Sequence, residues 1–179
     1  MTTIVGKVNT PATQDAYVYA LVETASIKLL LAQMDDVRKD LDTASKILDT
    51  FDSVDTVIHA AFYRVNADYY SAKIDYTNYY RNALLYLACL PSLSVLSKEE
   101  AQTRAYNLSI AALLAEKIYN FGELLLHPIL NELQSTQSAW LRDLLFAMNS
   151  GDLEAFTKLT PRLSSIVLVF CDPADIAPT

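Results

Sequence analysis

The stretch YYSAKIDYTNYYRNALLYLACL, Tyr69–Leu90, holds six of the eleven tyrosines in this 179-residue chain. Three readings compete for so aromatic a segment: a platform for stacking bases, a cage around a ligand, or packing between helices. Spacing separates them. Tyr76, Tyr79, Tyr80, Ala83, Leu84, Leu87 and Leu90 recur at intervals of three and four, which places them on one face of an α-helix. Pro91 cannot continue that helix and marks its end. A tyrosine on a helix-pair interface fills volume with its ring and keeps its hydroxyl at the wet edge. Packing is the preferred reading.

Charge points the same way. Fourteen Lys and Arg stand against 21 Asp and Glu, a net charge of -7, and the basic residues do not cluster. A nucleic-acid partner needs concentrated cations to displace counterions, and aromatic platforms for single strands sit in basic grooves. Neither nucleic acid nor an anionic membrane surface is an expected partner. The longest apolar run, Ala83–Leu90, is far shorter than the ~18 residues that span a bilayer. The first residues carry no apolar core of a secretory signal. Two cysteines, Cys89 and Cys171, make no disulfide framework and point to a reducing compartment, cytosol or nucleus.

Outward from the tyrosine segment, helical periodicity continues in both directions. Residues 53–74 carry Val57, Ala61, Val65, Tyr69 and Ala72 as one stripe, widened by Ile58 and Phe62. Before it, Asp35–Thr50 presents Val37, Leu41, Ala44, Ile47 and Leu48, and Asp52-Ser53 marks a break. The first helix starts at Thr10-Pro11 and shows Tyr17, Ala20, Leu21, Thr24, Ile27, Leu30 and Leu31. After Pro91, Ser97 with Glu100 reads as a capping box for a fifth helix bearing Ala105, Leu108, Ala111, Ala112 and Ala115. YNFGELLLHPILNELQ is a short helix interrupted near His127-Pro128. STQSAWLRDLLFAMNSG is a seventh, closed by Asn149-Ser150-Gly151, and DLEAFTKL begins an eighth.

Pair starts near Pro11, Ser53 and Ser97 lie about 40 residues apart, the period of a helical solenoid. With only three glycines to form turns, the expected fold is all-α: a right-handed helical-repeat solenoid of antiparallel helix pairs, TPR-like. The expected organisation is a flexible N-terminus at 1–10, a helical-repeat domain over 11–159, and an irregular tail at 160–179.

No catalytic motif stands out. Isolated glycines build no phosphate loop, and there is no G-x-S-x-G elbow, C-x-x-C pair or H-E-x-x-H. Glu123 and His127 are four apart and could share a face, but two ligands do not make a zinc site. Asp35, Asp36, Asp40 and Asp42 read as a solvated helix face. No catalytic residue, cofactor, metal or small-molecule substrate is expected.

Two blocks carry a resemblance. FYRVNADYYSAKIDYTNYYRNALLYLACL (Phe62–Leu90) has a Phe-Tyr, two Tyr-Tyr pairs, a basic residue and an Ala-Leu run: Phe62-Tyr63, Tyr69-Tyr70, Tyr79-Tyr80, Arg81 and Ala83-Leu84. The second block matches at Asn120, Phe121, Gly122, Glu123, Leu124, His127, Pro128, Trp140, Leu141, Asn149, Ser150 and Gly151. Together they resemble the regulatory-subunit-13 family of the 26S proteasome lid, PCI-type scaffold proteins, over approximately Asp15–Thr160. The resemblance implies a non-catalytic scaffold that works by protein–protein contact in ubiquitin-dependent degradation, in cytoplasm and nucleus. Its implied partners are other lid subunits, with regulatory subunit 12 and the ubiquitin-receptor subunit as neighbours. The family pattern continues into a winged helix, whereas this sequence continues after Lys158 as LTPRLSSIVLVFCDPADIAPT. That tail is read as foreign to the family and the chain as a truncated form. The alternatives are a PCI subunit of the signalosome or of a translation initiation factor, and a free-standing helical-repeat adaptor.

Overall fold

The computed structural model describes residues 14–50, 55–116, 118 and 121–170, with backbone only for 163–170. Every described regular element is a helix: α1 (Gln14–Leu30), α2 (Met34–Leu48), α3 (Thr56–Ala72), α4 (Tyr76–Cys89), α5 (Lys98–Leu114), α6 (Gly122–Leu126), α7 (Ala139–Ser150) and α8 (Leu153–Phe170). A 3-10 turn at Leu93–Val95 and a 3-10 stretch at Pro128–Ser135 join them. The all-α helical-repeat class is therefore what the chain adopts. Among the described residues no helix is long and apolar enough to cross a membrane.

The chain divides into two compact units, one ending at Val95 and the other starting at Leu96. In the first, α1 pairs with α2, α3 pairs with α4, and α3 also packs on α1 and α2. Val18, Leu21, Val22 and Ala25 of α1 meet Val37, Leu41, Ala44 and Leu48 of α2 and Ile58, Ala61, Val65 and Tyr69 of α3. Burying each larger aliphatic side chain contributes about 1.5–3 kcal/mol, and that contact holds the unit together.

The buried face of α1 differs from the expected one. Leu30 and Leu31 are 73% and 64% exposed, and Ile27 is exposed as well. Apolar residues occur on several sides of α1, so periodicity alone admits more than one face. Packing on α2 and α3 takes the Val18, Leu21, Val22 and Ala25 face, and polar contacts flank it: Arg64 Nη2 donates to Glu23 Oε1 at 2.7 Å, and Lys28 Nζ to Asp40 Oδ2 at 2.6 Å. Asp40 is thus an interhelix partner rather than part of a solvated face. Asp42 pairs within its own helix, with Arg38 at 2.6 Å, and stays half exposed.

Helix ends show local chemistry. Asp55 caps α3 by accepting from Val57 N at 3.2 Å, and Asp75 caps α4 by accepting from Asn78 N at 3.1 Å. Between α1 and α2, and between α3 and α4, the chain reverses through left-handed residues that are not glycine, Ala32 (φ 57°) and Ile74 (φ 59°). The expected starts at Pro11 and Asp52-Ser53 lie outside the described residues.

In the second unit, α5 packs on the 3-10 stretch and α7, while α7 also contacts α6 and α8. Ala101, Ala105, Ser109 and Ala112 of α5 are all buried, and side chains that small allow a close helix neighbour. The capping box is half formed. Ser97 Oγ accepts from Glu100 N at 3.1 Å, but the Glu100 carboxylate accepts from Arg104 Nε at 3.0 Å instead of reaching back.

The helical backbone does not stop at 159. α8 runs to Phe170 with Pro161 inside it, so the irregular tail expected from 160 is helical for its first half. Proline removes one donor and crowds the preceding turn. The residues that follow, through Phe170, have backbone donors with which the ladder resumes.

Candidate interaction surface

The tyrosine segment resolves into core and rim. Tyr69, Tyr79, Tyr80 and Tyr86 are buried. Tyr70 is half-buried, edge-to-face with Tyr69 at 5.4 Å between ring centroids. One family position upstream, Tyr63 meets Phe62 edge-on at 5.6 Å and stacks with His59 at 6.0 Å. Burial pushes the Tyr63 hydroxyl above its ordinary pKa, with Cys89 and Asp49 adding to the effect, and burial alone raises the Cys89 thiol. Neither group is poised to ionise.

Tyr70 also closes one side of a cleft. Arg38 Nη1 donates to its hydroxyl at 2.9 Å, and the guanidinium carbon stands 6.0 Å from its ring centre. Arg38, Leu41, Asp42 and Ser45 of α2, Phe62, Asn66 and Tyr70 of α3, and Asn82 of α4 line a volume of about 210 Å³. Helical spacing builds it. Residues 38, 41, 42 and 45 form one face of α2, and residues 62, 66 and 70 form one stripe of α3.

The second family block is built differently. Phe121 is buried just before α6, with Glu123 exposed in its first turn. His127 ends α6 and caps the 3-10 stretch: its Nδ1 accepts from Ile129 N at 3.2 Å, with Pro128 at the first position. That bond requires a neutral ring. Burial lowers the His127 pKa from 6.5, and Glu123 works in the opposite direction. Among the described residues no three His, Cys, Asp or Glu side chains converge as metal ligands would.

Trp140 is buried in the first turn of α7, next to the fully buried Leu141. Asn149 is exposed near the end of α7, and Gly151 follows in the left-handed region (φ 71°). There Asp152 N donates to Ala147 O at 2.9 Å, satisfying a terminal carbonyl. Asn120 lies outside the described residues. The family positions thus fall into separate places: tyrosines within the first unit, and a capped, proline-started turn and a helix end within the second.

Sequence reasoning did not single out Asn66, Ser45 or Asn82. The signal present was a polar residue on the stripe of Phe62 and Tyr70, where periodicity calls for an apolar one.

Comparison with known proteins gives a consistent result. The chain is 48% identical over 166 residues to the probable 26S proteasome regulatory subunit rpn9 of Schizosaccharomyces pombe, covering 93% of this chain and 43% of that protein. It is 38% identical over 157 residues to the 26S proteasome non-ATPase regulatory subunit 13 of Dictyostelium discoideum, covering 86% and 40%. Against the 26S proteasome regulatory subunit RPN9 of Saccharomyces cerevisiae it is 41% identical over 138 residues, covering 76% and 35%. The chain therefore spans less than half the length of these curated relatives. The 166 aligned residues are more than Asp15–Thr160 contains, so the likeness reaches beyond the expected limits. The family model described as PSD13 N-terminal repeats matches residues 1–145, most of the chain and both motif blocks up to Trp140-Leu141. This chain belongs to the PSD13 N-terminal repeat family.

Proposed function

We propose that this chain serves as a non-catalytic scaffold of the 26S proteasome regulatory-particle lid, supporting ubiquitin-dependent protein degradation through protein–protein contacts. The observation that carries this reading is the 48% identity over 93% of the chain to a probable proteasome regulatory subunit. The relatives' names, regulatory and non-ATPase, fit a role without chemistry of its own. The paired helices suit such a role, because stacked helices hold their outer side chains in fixed positions for neighbours to read. In this reading the partners are other lid subunits, with regulatory subunit 12 and the ubiquitin-receptor subunit as neighbours, in cytoplasm and nucleus.

The test is affinity purification of the tagged 179-residue chain from its host cell, with quantitative mass spectrometry of what accompanies it. Lid subunits at near-stoichiometric levels are the expected result. Recovery of chaperones alone would overturn the proposal for this chain.

A further inference from the structure

The cleft between α2, α3 and α4 holds hydrogen-bonding capacity that the described residues do not use. Asn66 is only 5% exposed. Its Nδ2 makes one long bond, to Phe62 O at 3.3 Å, and among the described residues its side chain has no other partner. A carboxamide offers two donors and an acceptor with two lone pairs, so most of this buried group is uncommitted. Ser45 is similar. Thr24, Thr43 and Ser109 each donate to the carbonyl four residues back, at 2.7, 2.8 and 2.7 Å. The Ser45 hydroxyl makes no such bond and stands on the cleft wall. Asn82, opposite on α4, commits one hydrogen to Asn78 O at 2.8 Å and has its acceptor oxygen to spare.

Charge narrows the ligand class. Among the described residues of the wall the ionised groups are Arg38 and Asp42, which neutralise each other at 2.6 Å, and Arg38 also holds Tyr70. A charged ligand would have to break that arrangement or face it uncompensated. A carboxylate accepts only and an ammonium donates only, so either would leave half of the free valences unmet. A neutral group with both an N–H and a C=O meets them together. Leu41 and Phe62 supply apolar wall for the carbons beside it. At about 210 Å³ the cleft exceeds the ~30 Å³ share of one water several-fold and suits a side chain or a peptide unit.

We propose that this cleft binds an uncharged amide on a segment of a partner protein, pairing with Asn66 and with Ser45 and Asn82. The amide is either a Gln or Asn side chain or a main-chain peptide unit. The inference rests on the cleft and does not depend on the proteasome reading.

The experiment is an NMR titration of the ¹⁵N-labelled 179-residue chain with N-acetylglutamine N-methylamide and, separately, N-acetylglycine N-methylamide. Saturable shifts at the side-chain amides of Asn66 and Asn82 and the backbone amide of Ser45 are expected. Saturation by the glutamine probe alone identifies a side-chain amide, and comparable saturation by both identifies the main chain. Ser45→Ala and Asn82→Ala, at half-buried sites, are each expected to weaken binding about three- to tenfold, as loss of one hydrogen bond does. Asn66→Leu is expected to abolish it, with the rest of the spectrum reporting that the fold is kept. No saturable shift with either probe up to its solubility limit, or affinity unchanged in both alanine variants, would overturn the proposal.

Discussion

Gly151 and Ala32 occupy the same left-handed backbone region, at φ 71° and 57°, and make a natural pair. A β-carbon at Gly151 would meet nothing within 4 Å, so only the backbone resists substitution. Gly151→Ala should lower stability by about 1 kcal/mol. Ala32 is exposed and loses no packing, so Ala32→Gly should raise stability by about 0.5 kcal/mol, the relief of strain exceeding the added unfolded-state entropy. Denaturation midpoints of the two variants against the parent check both signs. Asn149-Ser150-Gly151 announces its turn in the sequence. Ala32 and Ile74 do not, because nothing in an alanine or isoleucine marks a reversal imposed by packing of the helices on either side. The role of His127 is similarly silent, since it depends on which ring nitrogen faces Ile129 N. It has a pH signature. Its folded pKa lies below the unfolded value of 6.5 because of burial. Above 6.5 both states are neutral and stability is unaffected; as pH falls through and below 6.5, the unfolded chain takes the proton first and stability is lost, down to the folded pKa. His127→Asn keeps a cap acceptor without titrating. The loss of denaturation midpoint between pH 7.5 and 5.5 should therefore be smaller in His127→Asn than in the parent.

At the scale of the element, most helices were legible because apolar residues at three- and four-residue spacing admit little else. α2, α4 and α5 bury the faces that their sequences announce. α1 does not, because its apolar residues ring the helix and the face it buries is chosen by packing against α2 and α3. α8 runs past residue 160, where an irregular tail was expected to begin, and holds Pro161 within it. The Ser97–Glu100 pattern calls for a reciprocal pair, but Arg104, one turn on, takes the carboxylate. The two halves should therefore differ in worth. Ser97→Ala should cost about 1 kcal/mol by losing the cap, and Glu100→Gln about 0.3–0.5 kcal/mol by losing a half-exposed i,i+4 pair. Thermal or chemical unfolding of both single variants separates them, and equal costs would mean that the carboxylate does more than pair with Arg104.

Across the whole molecule, each unit has its own fully buried leucines, and neither depends on a single large residue. Leu41 in the first unit is 1% exposed and Leu144 in the second is 0% exposed. Leu41→Ala and Leu144→Ala should each cost about 2–5 kcal/mol, the sum of lost transfer energy and a cavity left behind. Hydrogen exchange should place the opened amides in α1–α3 for the first variant and in α5–α7 for the second. Fold class was readable at this scale because few glycines and a repeating helical period are properties of the chain as a whole. The cleft was not readable, because Ser45, Asn66 and Asn82 become neighbours only when three helices pack. The small residues along α5 have a further consequence, for evolution rather than for folding. Ala101, Ala105, Ser109 and Ala112 are buried, and at buried positions this small a larger side chain has to push its neighbours apart. Such a seam is a one-way filter on drift. Leucines elsewhere in the core can shorten or reshape as neighbours compensate, whereas such a seam tolerates exchange only among the smallest side chains, a constraint on size rather than on identity.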